Sequence, residues 1–213
     1  MKKLMSLIIA VILAVSAFGF AGAFAEESNS LYVYQDFGSA ENNFNMKAMM
    51  SASGYEDLVI PMNEEWDKDP YSGETCIRCQ VNTQPDTWGG WMFLTGMLVE
   101  GQKYLVFNDA ATPGQGLDLT GMHELRFRAR GQNGGEHVEF ICFGFGEGGS
   151  LAYPDTADKV SEKFDLTADW QEYVLSWDET DLTNIICGFG FACAGGDAAA
   201  ENIFYLDDIR YLP

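Results

Sequence analysis

The sequence predicts an all-β protein, an antiparallel two-sheet β-sandwich, and three observations carry that expectation. Apolar and polar residues alternate at period two in one short segment after another. Glycine, proline, asparagine and aspartate separate these segments at turn-like spacing. No stretch shows the 3.6-residue apolar period of an amphipathic helix. About ten strands result, enough for two packed sheets and no second domain.

The first 25 residues read as a secretory signal peptide. Lys2 and Lys3 supply a positive start, Leu4 to Phe20 an apolar run, and Ala23-Phe24-Ala25 a small-x-small cleavage site before Glu26. The expectation is a secreted, extracellular protein with no membrane segment after cleavage. Taking 25 from 213 residues leaves 188, with residues 26–30 as a polar lead-in and 31–213 as one domain. Losing Lys2 and Lys3 moves the formal charge from -20 to -22. Such a surface repels nucleic acid and anionic membranes, which excludes both as partners.

Leu31 to Phe37 opens the domain as a strand, and Asp57 to Met62 is a further short one. Glu41 to Tyr55 is a polar, methionine-rich segment best read as a loop with a brief strand. Glu64 to Gly73 is an acidic, turn-rich loop. Thr75 to Thr83 places Ile77, Cys79 and Val81 inward. Trp88 to Thr95 is apolar on both faces, Trp91 and Phe93 on one side and Met92 and Leu94 on the other, so it needs a cover on its second face. Val160 to Phe164, Glu172 to Trp177, Ile185 to Cys193 and Ile203 to Tyr211 complete the set. In the third of these, Ile185, Cys187, Phe189 and Phe191 are expected on one face.

Between these lies Leu125 to Gly146, where two alternating runs flank Gly131, Gly134 and Gly135. The pattern reads as an antiparallel hairpin whose Leu125, Phe127, Val138 and Phe140 face the core. Its other face then carries Arg126, Arg128, His137 and Glu139 beside apolar residues. That mixture suits a binding surface or a solvated face covered by a loop.

Five cysteines, Cys76, Cys79, Cys142, Cys187 and Cys193, leave at least one unpaired. Cys76 and Cys79 lie three apart on a strand and point to opposite faces, so they do not pair with each other. No second cysteine pair or histidine cluster accompanies them, and a zinc site is not expected.

The ordered set LYVYQDF, a GGW strand, DLTGMHELRFRARG, GGEHVEF, DWQEYVLSW and FYLDDIRY resembles a jelly-roll carbohydrate-binding module of the galactose-binding-like type. It is similar to the family-11 β-glucan binders. The resemblance covers nearly all of residues 31–211. It implies two sheets face to face, with a glycan held on the concave outer face of one by aromatic rings, arginine and carboxylates. It also implies a structural Ca²⁺, with Asp36 and Asp207 at the matching positions.

Sugar rings stack on aromatic faces while polar groups bond the hydroxyls. The candidate ligand-binding residues are therefore Arg126, Arg128, His137 and Glu139, with Trp91 (or Trp88 on the other parity) as stacking ring and Tyr104 and Tyr153 from flanking loops. The expected partner is a neutral polysaccharide, a β-glucan or hemicellulose, bound by a monomer without catalysis. The sequence has no E-x-D-x-x-E strand, G-x-S-x-G elbow or HExxH helix. Two carboxylates meeting in space would suffice for a glycoside hydrolase or lyase, and a protein-binding adhesion module is the remaining alternative.

Overall fold

Two antiparallel sheets pack face to face in the computed structural model, which describes residues 29–98, 105–196 and 200–213. The strands are β1 (Leu31–Tyr34), β2 (Met46–Ser51), β3 (Asn63–Trp66), β4 (Cys76–Thr83), β5 (Trp88–Leu94), β6 (Gly96–Leu98) and β7 (Leu105–Phe107). They continue with β8 (Glu124–Gly131), β9 (His137–Cys142), β10 (Val160–Asp165), β11 (Gln171–Ser176), β12 (Cys187–Ala194) and β13 (Ala200–Leu212). The first sheet runs β11-β8-β13-β4-β3, with β1 also on β13. The second runs β10-β9-β12-β5-β2, and β6 and β7 form a separate ribbon.

Alternation explains the layers. In β8 and β9 every second side chain is buried, because side chains on a strand point to opposite faces in turn. Leu125, Phe127 and Ala129 of the first sheet meet Val138, Phe140, Phe189 and Phe191 of the second in one apolar core. Phe127 and Phe140 lie with ring centroids 4.6 Å apart, and Phe191 meets Phe204 edge-on at 5.0 Å. Burial of such rings is the main stabilising contribution of a core.

The hairpin expectation is corrected. β8 pairs with β11 and β13, whereas β9 pairs with β10 and β12. The glycine-bearing turn carries the chain from one sheet to the other, held by Gly131 N–H on the Thr167 carbonyl and Gly135 N–H on the Leu166 carbonyl. Gly134 and Gly135 both have positive φ, +83° and +91°, which glycine adopts without steric cost.

Smaller corrections follow local geometry. Leu31 to Phe37 is strand only to Tyr34, and Asp57 to Met62 is a 3₁₀ turn at Glu56–Leu58 with a single bridge from Val59 to Val81. Cys187 faces away from the core that takes Phe189 and Phe191, because the register shifts between Cys187 and Phe189. Cys76 and Cys79 do lie on opposite faces, and all five cysteines are buried thiols. The signal-peptide residues lie outside the described ones.

Candidate functional site

The outer face of the second sheet is shaped by what its middle strand lacks. Outward positions of β12 are Gly190, Ala192 and Ala194, in alternation with core-facing Phe189, Phe191 and Cys193. Its neighbours carry larger groups. One rung reads Lys163, Glu139, Ala192, Gly90 and Met50 across five strands. The next reads Ser161, Ile141, Gly190, Met92 and Ala48. Small residues down the centre with larger ones either side make a trough, and a cavity of about 680 Å³ lies there. That volume is typical of a small-molecule site.

Trp88 pairs with Ala194 at one end, 44 % exposed, and lines the cavity. Met50, Met92 and Ile141 make its floor apolar. Glu139, Lys159 and Lys163 bring charge along the β9 and β10 side, and Asp86 adds a carboxylate residue from the loop before β5. Glu139 Oε1 lies 3.4 Å from Lys159 Nζ, and its Oε2 lies 4.0 Å from Lys163 Nζ. Partial burial disfavours the Glu139 anion, but the Ser161 hydroxyl and the Lys159 and Lys163 ammonium groups prevail and hold its carboxyl below the usual range. His137 Nδ1 is 2.8 Å from Asp165 Oδ1 at the rim.

The segment after β9 walls the far end. Phe143 has φ +65°, and Gly144 and Gly146 are also left-handed. A non-glycine residue at such an angle is strained by about 1–3 kcal/mol and persists only where packing dictates it. Phe143 is packed against Trp177, with centroids 4.9 Å apart. Asp155 then fixes the wall to β12: it accepts from Phe145 N–H at 3.0 Å, Ile186 N–H at 2.5 Å and Cys187 N–H at 3.4 Å. Its burial outweighs these bonds and pushes the carboxyl up to about 6.

The structure divides the predicted residues between opposite sides of the molecule. His137 and Glu139 line the trough. Arg126 and Arg128 project from the outer face of the other sheet, because β8 and β9 face each other across the core. Arg126 Nε is 2.6 Å from Glu124 Oε1, and Arg128 Nη2 is 2.9 Å from Glu172 Oε2. Trp91 also belongs elsewhere: it packs against the core and donates from Nε1 to the Ile60 carbonyl at 3.2 Å. The opposite parity brings Trp88 to the surface instead. Tyr153 is exposed on a loop and is not among the cavity's lining residues. Tyr104 lies outside the described residues. Met50, Met92, Ile141, Lys159 and Lys163 went unrecognised, although GFGFACA, with small residues alternating against phenylalanine, marks the trough.

Asp36 and Asp207 are both bound to the loop before β4. Asp36 accepts from Glu74 N–H and Thr75 N–H, each at 3.0 Å, from Phe37 N–H at 2.9 Å and from the Thr75 hydroxyl. Asp207 accepts from Tyr71 N–H at 2.8 Å, Ser72 N–H at 3.0 Å and Asp208 N–H at 2.7 Å. A Ca²⁺ site needs six to eight converging oxygens. Here donors occupy the carboxylates, and among the described residues no group of three His, Cys, Asp or Glu is arranged to hold a metal. This donor set does not fit the ion.

No family model and no curated protein matches the sequence. Solved structures do. The chain is similar to the family 11 carbohydrate-binding module of Clostridium thermocellum, solved in complex with a β-1,3-1,4-mixed-linked tetrasaccharide, at 11 % identity and TM-score 0.52, over 83 % of this chain and 92 % of that one. It is also similar to a carbohydrate-binding module of the β-sandwich superfamily studied for promiscuous specificity, at 13 % identity and TM-score 0.51, over 84 % of this chain and 63 % of that one. At such identities the likeness is one of fold, and the fold of this chain is the β-sandwich of those carbohydrate-binding modules.

Proposed function

We propose that this protein is a secreted, non-catalytic carbohydrate-binding protein that holds a neutral polysaccharide, a β-glucan or hemicellulose, in the trough of the second sheet. The observation that carries the reading is the trough itself, an apolar floor under an exposed indole with fixed charged groups along one side. Sugar rings present apolar C–H faces that suit Trp88, Met92 and Ile141, while Glu139, Lys159 and His137 can bond hydroxyls. A rigid sheet keeps the ordering cost of those groups low. The mixed-linked tetrasaccharide bound by the family 11 module supports the same ligand class.

Binding without turnover is supported by the likeness in fold to carbohydrate-binding modules and by a sequence that carries no E-x-D-x-x-E strand. The net charge of -20 disfavours acidic glycans such as pectin. The N-terminal signal pattern supports action outside the cell. Electrophoresis through gels containing mixed-linkage β-glucan, xylan or mannan tests the proposal, with released sugar assayed in parallel. Retardation without product is the expected result; released sugar identifies an enzyme, and retardation by none of the gels removes the reading.

A further inference from the structure

A second cavity, about 690 Å³, lies on the opposite sheet. Tyr32 of β1, Arg128 of β8 and Asp208 and Arg210 of β13 line it, and Phe37 and Tyr71 stand on the loops at its sides. A bulge in β13 creates the floor. Between Asp207 and Arg210 the register shifts, and Asp208 sits at φ +47°. Such bulges re-aim side chains, and they occur disproportionately beside functional sites.

The walls are fixed in advance. Asp207 holds the amides of Tyr71 and Ser72, while Asp36 holds those of Glu74 and Thr75. Between them Gly73 has φ +62°, and a Cβ there would come within 2.6 Å of Asp36 Oδ2. The two carboxylates thus keep the loop in place.

The chemistry inside is balanced. Arg128, ion-paired with Glu172, and Arg210, 3.6 Å from Asp208, bring planar N–H donors to the lining, Asp208 brings a carboxylate, and Gln35 and Ser39, bonded to each other, bring both kinds of group. Two arginines face two aspartates, Asp36 and Asp208, so the lining has no formal net charge. Phe37 and Tyr71 remain 52 % and 43 % exposed, and the Arg128 guanidinium lies 4.4 Å from the Tyr71 ring centre. Exposed ring faces beside paired donors and acceptors match a molecule that is apolar on its faces and hydroxylated at its edges. Loops on two sides suit a short ligand rather than a long chain.

We propose that this cavity is a second saccharide site, taking one or two units of a neutral sugar on the face opposite the trough. The inference rests on the carbohydrate-binding reading and extends it: the protein is bivalent and can bridge two glycan chains.

Amide chemical shifts of the ¹⁵N-labelled protein, titrated with cellotetraose and with xylotetraose, test it. Gly38, Ser39, Ser72 and Gly73 are expected to shift in the wild type and equally in Trp88→Ala. In Phe37→Ala, whose side chain is exposed, and in Phe37→Ala combined with Arg128→Gln, their titration should weaken at least tenfold. Gly144 and Ala192 should still respond in both variants. Shifts confined to the trough, or second-cavity shifts unchanged in both variants, overturn the proposal. Shifts confined to the second cavity overturn the trough reading instead, and no shift at either site with either sugar overturns both.

Discussion

Phe127 of β8 and Phe140 of β9 face each other across the core with ring centroids 4.6 Å apart and planes inclined at 59°. Because neighbouring residues on a strand point oppositely, this contact sends Arg128 outward on one side of the sandwich and Glu139 outward on the other. Each ring is buried. Phe140→Ala should destabilise the fold by about 3–5 kcal/mol, measured by urea unfolding; a loss below about 1 kcal/mol would show that the two rings do not span the core.

The same contact makes Arg126 remote from the trough. Arg126→Ala should leave glycan affinity unchanged, since its Nε is already paired with Glu124. Glu139→Ala removes a charged hydrogen-bonding group and should cost about 1.5–3 kcal/mol, roughly tenfold or more in affinity. Calorimetry on both variants checks the pair of outcomes, and the reverse ranking would place the ligand on the other sheet.

Much of the fold was legible because alternation states which side chains face inward. The inward sets Ile77, Cys79 and Val81, and Leu125, Phe127 and Ala129, are buried as expected. Alternation does not state which strand lies alongside. A glycine turn between β8 and β9 is compatible with a hairpin, and its five residues also reach ~16 Å when extended, more than the ~10 Å between packed sheets. The site was half legible for that reason. His137 and Glu139 line one cavity together, while the hairpin reading puts Arg126 and Arg128 on their face through a pairing that does not form. Trp91 and Trp88 differ by three residues, hence by parity, and the double-faced WGGWMFLT gives no contrast to choose between them.

Burial pushes the Asp155 carboxyl up to about 6, above the ~3.9 of an unfolded chain. The folded state therefore holds this proton more tightly than the unfolded one. The stability it contributes is complete below about pH 4 and is lost as pH rises through about 6. Asp155→Asn should reduce the fall in melting temperature between about pH 4 and pH 7. It should also cost about 1–3 kcal/mol, because an amide nitrogen replaces one acceptor oxygen facing backbone N–H groups. Thermal melts across that range check both effects; an unchanged pH slope would mean that Asp155 is ionised throughout.

Asp36 and Asp207 bind backbone amides in the positions where the family resemblance implies Ca²⁺. A ligand that binds only the folded state raises the melting temperature. From the donors around both carboxylates, melts in EGTA and in millimolar Ca²⁺ should coincide. A higher melting temperature in Ca²⁺ that Asp207→Ala abolishes would show that the ion displaces those amides.

The central claim is that a neutral glycan lies in the trough over Gly190 and Ala192, against Trp88. Calorimetric titration of mixed-linkage β-glucan oligosaccharide into wild type, Trp88→Ala and Ala192→Phe, each shown by melting to be folded, tests it most directly. The account predicts binding by wild type, affinity at least about tenfold weaker without the indole, and none detectable at the trough when a benzyl side chain in place of the Ala192 methyl fills it. Wild-type affinity in both folded variants would contradict it.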